Sequence, residues 1–147
     1  MHARRLVTVF ILATVFAGGF VLGSYVQPGA VVEAQAGKRV FELRTYTSPE
    51  GRLGDLQARF RNHTVKLFER HGITSIGYFV PQDAPQSQNT LIYVLAHKDR
   101  ESAKQNWAAF QKDPDWQAVF KESQKNGPLQ TQVQSVFMDP TDFSPLK

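Results

Sequence analysis

The chain has 147 residues, no cysteine, 41% hydrophobic residues and a formal net charge of +4 at pH 7. Without cysteine there can be no disulfide, thiolate metal site or cysteine nucleophile. The positive charge is small and forms no run longer than two residues, which argues against nucleic acid as a partner.

The N-terminal segment has the order of an export signal. Two arginines precede an apolar run over residues 6–26, and the small residues Ala34 and Ala36 follow it. This order predicts a secretory signal cleaved after Ala36, although the run is also long enough to remain as a membrane anchor. We therefore predict residues 1–36 as a signal peptide or anchor. Residues 37–147 are then one exported domain, periplasmic or extracellular, touching a membrane only through an uncleaved N-terminus.

The segment 40–46 alternates strictly between two sides and contains no Gly or Pro, which predicts a strand. Its apolar side consists of Phe41, Leu43 and Thr45. The other side carries what we name the polar row, which is Glu42, Arg44 and Tyr46. We interpret this strand as the centre of a sheet, with helices on the apolar side and the polar row on the uncovered side.

A helix is predicted over 52–71, because apolar residues recur there at helical spacing. Its buried stripe would be Leu53, Leu56, Phe60 and Leu67, flanked by Thr64 and Phe68. Gly72 suits the position that ends such a helix. Two strands follow, 73–80 and 90–97, joined by the polar connection 81–89, which we consider too short for a helix. This link predicts an antiparallel hairpin, and the second strand is apolar enough to need cover on both faces.

A broken helix and a last strand complete the chain. Asp99 is the predicted N-cap of the first part, and Asp113 with Pro114 begins the second. The fourth strand is predicted over 129–138, with Gln130, Gln132 and Gln134 on its polar side, followed by an irregular tail. Trp107 and Trp116, at helical spacing, are expected in the core.

The order β-α-β-β-α-β predicts an α+β fold of the ferredoxin-like kind, one antiparallel sheet with helices on one face. The first strand should lie between the third and the fourth. The polar row and the glutamines of the fourth strand would then be neighbours on the uncovered face.

Several motifs in order resemble the NIPSNAP domain family. They are Glu42–Tyr46, His71-Gly72, the run Trp107–Trp116, and Pro140–Leu146. The resemblance implies a dimeric α/β barrel, in which two such sheets pack face to face. It therefore implies a homodimer, with the polar row facing the enclosed space. The family's biochemical activity is not well established, so the resemblance assigns no reaction.

The best candidate ligand-binding residues are the polar row together with His63. Residues two apart on a strand lie on one face, so Arg44 can reach Glu42. The row could line a lumen for a small polar or acidic ligand, or it could be a structural or interface ion pair. His63 could be a general base at a pocket rim or an ordinary helix residue. His71 suits the negative end of its helix, and His97 is expected in a loop.

No nucleophile triad, phosphate loop, metal cluster or dinucleotide motif is visible, so we predict no metal and no cofactor. The pair Asp113 and Asp115 is interpreted as helix capping rather than phosphatase chemistry. The first function hypothesis is a NIPSNAP-type binding or assembly module. The alternative is a cofactor-free or haem-assisted oxygenase that uses Arg44, Tyr46 and His63, by analogy with other dimeric α/β barrels.

Overall fold

The computed structural model describes residues 39–147. The predicted signal or anchor lies outside the described residues, so export and cleavage stay predictions. Within 39–147, no helix has both the length and the apolar character that crossing a membrane requires.

Four strands form one antiparallel sheet in the order β2-β3-β1-β4. The strands are β1 (Val40–Thr47), β2 (Thr74–Phe79), β3 (Thr90–His97) and β4 (Gln132–Met138). The helices are α1 (Leu53–Arg59), a π-helix (Phe60–Thr64), α2 (Val65–Arg70), α3 (Gln86–Asn89), α4 (Arg100–Lys112) and α5 (Pro114–Ser123). The predicted strand order is confirmed, and so is the α+β, ferredoxin-like class with helices on one face.

The first predicted helix forms, and its whole predicted stripe is buried. It ends as expected, because Gly72 follows with a φ of +70°, a conformation that costs glycine little. Its middle differs from a regular α-helix, since Phe60–Thr64 is a π-helix between α1 and α2. The Thr64 hydroxyl donates to the carbonyl of Arg59, five residues earlier.

The caps of the later helices are also confirmed. The Asp99 carboxylate accepts from the backbone N–H of Ser102 at 2.6 Å and begins α4. Asp113 accepts from the N–H groups of Asp115 and Trp116, at 2.7 and 3.3 Å, and Pro114 is the first residue of α5. These local hydrogen bonds satisfy backbone donors that a helix start leaves free.

Two predicted boundaries are wrong. The connection 81–89 contains the one-turn helix α3, and β4 begins at Gln132 rather than at 129. Leu129 is buried in the core and the Gln130 side chain accepts from Arg59, so this stretch is fixed by side-chain contacts rather than by strand pairing.

The polar row lies under the helices, so the predicted orientation of β1 is wrong. Tyr46 belongs to the core, with its ring 6.0 Å from that of Phe60 and 5.3 Å from that of Tyr93. Glu42 is only 1% exposed. The alternation of β1 is confirmed, but a polar side chain can be buried when its hydrogen bonds are satisfied.

The open sheet face is consequently apolar at its centre. Leu43 of β1 lies on this face and pairs with Val94 of β3 and Val136 of β4. Ile92 of β3 and its partner Phe79 of β2 lie beside them. Gln132 and Gln134 also lie there, opposite Thr47 and Thr45, so the predicted neighbourhood of the glutamines and the polar row is wrong. The polar row cannot line a lumen between two such sheets.

Candidate functional site

The Glu42 carboxylate is the centre of a buried hydrogen-bond cluster. One oxygen accepts from Arg44 Nη1 at 2.7 Å and from the Ser135 hydroxyl at 2.6 Å. The other accepts from Trp107 Nε1 at 2.7 Å and from His97 Nε2 at 3.0 Å. β1 contributes two of these side chains, and β3, β4 and α4 contribute one each. We call these five residues the Glu42 cluster.

The cluster keeps this carboxylate ionised. Burial alone would raise the pKa of Glu42, but the hydrogen bonds from His97, Ser135, Trp107 and Arg44 outweigh it and lower the pKa from 4.5 to about 2. A carboxylate has about four acceptor sites, and all four are occupied here. Glu42 therefore has no acceptor site left with which to take a proton from a substrate.

Arg44 is held between two aromatic rings. Its guanidinium carbon lies 4.4 Å from the Trp107 ring centre and 5.6 Å from that of Tyr46. Its Nη2 donates to the Tyr46 hydroxyl at 3.4 Å. Burial alone would lower the pKa of Arg44, but Tyr93, Tyr46 and Glu42 raise it above its ordinary value. The guanidinium is therefore charged at any physiological pH.

A cleft of about 570 Å³ reaches this cluster from solvent. α4 lines one side, and β1 and β4 line the other. The cationic side chains in its wall are Arg44, Arg100 and Lys104, and the acidic ones are Glu42 and Glu101. Because Glu42 is already neutralised by Arg44, the remaining charge of the wall is positive. Such a cleft can attract and hold a small anion.

The structure brings together three of the four predicted site residues. Glu42 and Arg44 line the cleft, and Tyr46 supports Arg44 from the core side. His63 is exposed and lines a different groove, between α1 and α5. The predicted grouping of His63 with the polar row is therefore wrong.

Three side chains of the Glu42 cluster were not predicted as site residues. His97 is not a loop residue but the fully buried end of β3, bonded to Glu42. Trp107 contributes its N–H and its ring face to the cluster, beyond filling the core. Ser135 faces Arg44 across β1 and β4. The register of antiparallel strands was the signal for His97, since Val40 pairs with His97 and diagonal neighbours can touch.

His71 and Asp113 form a second polar contact, away from the cleft. His71 Nε2 lies 2.6 Å from the Asp113 carboxylate, and Arg70 donates to the same carboxylate at 3.2 Å. The bond to His71 is the main reason why the pKa of Asp113 falls to about 2. This contact ties the end of α2 to the start of α5, so the role of Asp113 is structural, as predicted.

The three histidines within residues 39–147 do not fit a haem. His97 is bonded and has no exposure, His71 is bonded to Asp113, and His63 is exposed on the helix surface. An axial ligand needs a free ring nitrogen facing an enclosed pocket. Within residues 39–147 no three His, Cys, Asp or Glu residues are grouped to hold a metal ion.

Comparison with known proteins gives a family match and similar folds. The NIPSNAP family model matches residues 41–145. An uncharacterized NIPSNAP-like domain protein from Burkholderia xenovorans is similar with a TM-score of 0.65 and 21% identity, over 74% of this chain and 90% of that one. A NIPSNAP family protein of unknown function from Agrobacterium tumefaciens has a TM-score of 0.66 and 21% identity, over 76% and 96%.

A more distant similarity reaches an enzyme. A mutant of SnoaB, a cofactor-independent oxygenase from Streptomyces nogalater, has a TM-score of 0.50 and 12% identity, over 74% of this chain and 98% of that one. At these identities the solved structures share the fold alone. No functionally curated protein matches the sequence.

Proposed function

The chain belongs to the NIPSNAP family, and from that premise we propose that it is an exported, homodimeric protein that binds a small acidic molecule in the cleft beside Arg44. One observation carries the ligand assignment. The cleft ends on a guanidinium stacked on Trp107, and the surplus charge of its wall is positive. A cleft of about 570 Å³ has the size of a small-molecule site.

We propose binding rather than catalysis, because all acceptor sites of the buried Glu42 carboxylate are occupied. A general base works best with a pKa near the working pH. Glu42 has a pKa of about 2 and four donors around it, so its chemistry is that of an anchor for Arg44. The ion pair of Glu42 and Arg44 is therefore structural. The ligand would contact the side of the cluster that faces the cleft.

The homodimer is supported by the open sheet face. Phe79 and Val136 are more than half exposed on that face, and Leu43, Ile92 and Val94 are partly exposed. A contiguous exposed apolar patch marks an interaction surface. A second copy is the occupant we propose, because a sheet face paired with itself buries the same patch on both protomers. The interface is thus apolar rather than a polar lumen.

A cofactor-free oxygenase is the second candidate, favoured by a cleft that reaches Trp107 on a fold shared with SnoaB. Oxygen uptake by protein purified from its host, measured together with any ligand that it retains, separates the two functions. We expect no uptake above that of ligand alone. Ligand-dependent uptake that disappears with Lys104→Glu would favour the oxygenase.

The experiment that tests the binding function begins with native mass spectrometry of protein purified from its host, which reports the dimer and any retained ligand together. Succinate and benzoate then serve as probes in thermal unfolding. We expect them to raise the unfolding temperature of the wild-type protein, and Lys104→Glu to abolish the effect. Lys112→Glu, on the same helix but outside the cleft, is the matched control. Equal responses of both variants would contradict the proposal.

A further inference from the structure

A second groove lies between α1 and α5 and shares no lining residue with the cleft at Arg44. Its volume is about 620 Å³, within the range of small-molecule sites. Arg59 lines it, and His63 lies one helical turn further along the same wall. The groove is therefore a separate candidate site, and it contains the predicted site residue His63, which lies outside the cleft.

Arg59 is a buried charge without a carboxylate partner. Arg59 is only 4% exposed. Within residues 39–147, no Asp or Glu oxygen lies within 4.0 Å of its side-chain nitrogens. Its partners are neutral: the Ser123 hydroxyl at 3.4 Å and the Gln130 side-chain oxygen at 3.1 Å. Its Nε has no acceptor at all. A buried cation of this kind is costly until an anion reaches it.

The surroundings of Arg59 keep the charge without neutralising it. The guanidinium carbon lies 5.3 Å from the Trp116 ring centre and 5.7 Å from that of Phe120. Aromatic faces attract a cation through their quadrupole but leave its net charge in place. Burial lowers the pKa of Arg59, in keeping with a charge that lacks a counter-ion.

The charged side chains of the groove differ in exposure and in whether they have an ion-pair partner. The acidic side chains of its wall, Asp55 and Glu122, are 62% and 69% exposed and are paired with Arg52 and Lys125. Arg59, by contrast, is 4% exposed and has no carboxylate partner. A ligand carboxylate in the groove would thus meet a cation whose charge is not yet neutralised.

The wall of the groove also has an apolar part. Ala58, Ala118, Val119 and Leu129 line it beside Arg59. Because Arg52 is paired with Asp55, inorganic phosphate would find one guanidinium without a carboxylate partner and could not use the apolar wall. An organic acid with an apolar body would match both the single charge and the apolar wall.

The π-helix supports a functional role for this position. It begins immediately after Arg59 and contains His63, where the sequence predicts a regular helix. π-Helical turns are rare and are found frequently at functional sites. Arg59 and His63, four residues apart, both lie in the wall of the groove.

We propose that this groove binds a monocarboxylate with an apolar body, whose carboxylate pairs with Arg59 and whose body lies on the apolar wall toward His63. The site is independent of the ligand proposed for the cleft beside Arg44. The two proposals can therefore fail separately.

The test uses sodium octanoate as the probe, with octanol and inorganic phosphate as comparison ligands. By isothermal titration calorimetry, octanoate should bind wild-type protein with one site per protomer, and the two comparison ligands should not. Arg59→Met should weaken octanoate binding by about tenfold or more, since it removes a charge-assisted pair. Arg61→Met is the matched control, because Arg61 is an exposed arginine of the same π-helix outside the groove.

The ligand-free stability of Arg59→Met adds a second readout. Since Arg59 has no carboxylate partner, its replacement removes only neutral hydrogen bonds to Ser123 and Gln130, so the unfolding temperature should fall only slightly. A strongly destabilised variant that still binds octanoate like wild type would make Arg59 a structural residue and overturn the proposal. So would tight binding of phosphate in place of octanoate.

A measurement on the wild-type protein keeps the proposal testable if the variant does not fold. In a ¹H–¹⁵N NMR titration, octanoate should shift the indole N–H signal of Trp116, which packs on Arg59, and leave that of Trp107 in place. Movement of Trp107 alone would locate octanoate in the other cleft and overturn the assignment. If the wild-type protein binds octanoate but not succinate, the proposal for the cleft fails and the proposal for this groove is unaffected.

Discussion

Trp107 Nε1 on α4 donates a 2.7 Å hydrogen bond to a Glu42 oxygen on β1, although the two residues are 65 positions apart. This bond attaches the helix layer to the central strand at the floor of the cleft. Because the acceptor is a buried carboxylate, the bond is charge-assisted and stronger than a neutral one. It therefore contributes to the stability of the layer and helps to fix the ring on which Arg44 stacks.

Trp107→Phe should destabilise the protein by about 1.5–3 kcal/mol, because it keeps an aromatic ring but removes a hydrogen bond to a charged group. Urea unfolding followed by far-UV circular dichroism measures the change. Trp116→Phe is the control, since Trp116 packs against the same core without bonding a buried carboxylate. A loss of stability as large for Trp116 as for Trp107 would show that ring size, not the bond, matters.

The pKa of Glu42 predicts how stability depends on pH. The pKa falls from 4.5 in the unfolded chain to about 2 in the folded protein, so the folded state binds this proton less tightly. The stabilisation, roughly 3 kcal/mol, is complete above pH 4.5 and is lost as the pH falls toward 2.

The comparison of wild type with Glu42→Gln isolates this effect. The variant should be strongly destabilised at pH 7, because Arg44 then lacks its buried partner. The difference in free energy of unfolding should shrink as the pH falls from about 5 to 2, since protonation deprives wild type of the same charge. Asp113 titrates in both proteins and cancels. A difference that does not change with pH would contradict the assignment.

The order of elements could be predicted because its signals are local. Apolar spacing, the caps Asp99 and Asp113 and the terminator Gly72 all act within a few residues. The orientation of β1 could not, since the partners that make Glu42 tolerable under the helices lie 55, 65 and 93 residues away, at His97, Trp107 and Ser135.

Arg59 illustrates the same limit for the second groove. In sequence it is one more cation on a predicted helix, indistinguishable from exposed Arg61 two residues later. Its burial depends on contacts with Ser123 and Gln130, 64 and 71 residues away.

Two glycine substitutions should change stability in opposite directions. Gly72→Ala should cost about 1–2 kcal/mol, because Gly72 has a φ of +70° and a Cβ there would lie 3.2 Å from Asn106 Nδ2. Gly54→Ala should stabilise by about 0.5–1 kcal/mol, since Gly54 lies in α1 and nothing lies within 4 Å of an added Cβ. Urea unfolding of both variants measures this. A shift of the same sign in both would contradict the backbone explanation.

The two exposed valines of β4 provide the sharpest test of the proposed dimer. Val136 is 53% exposed on the open sheet face, and Val133 is 43% exposed on the helix side of the same strand. Val136→Glu should convert the dimer to a monomer, because two apolar faces cannot pack across a pair of buried carboxylates. Val133→Glu makes the same chemical change and should leave the dimer intact. Native mass spectrometry or sedimentation at several protein concentrations measures both. A monomeric wild-type protein, or equal dissociation of the two variants, would show that this face does not bind a second copy.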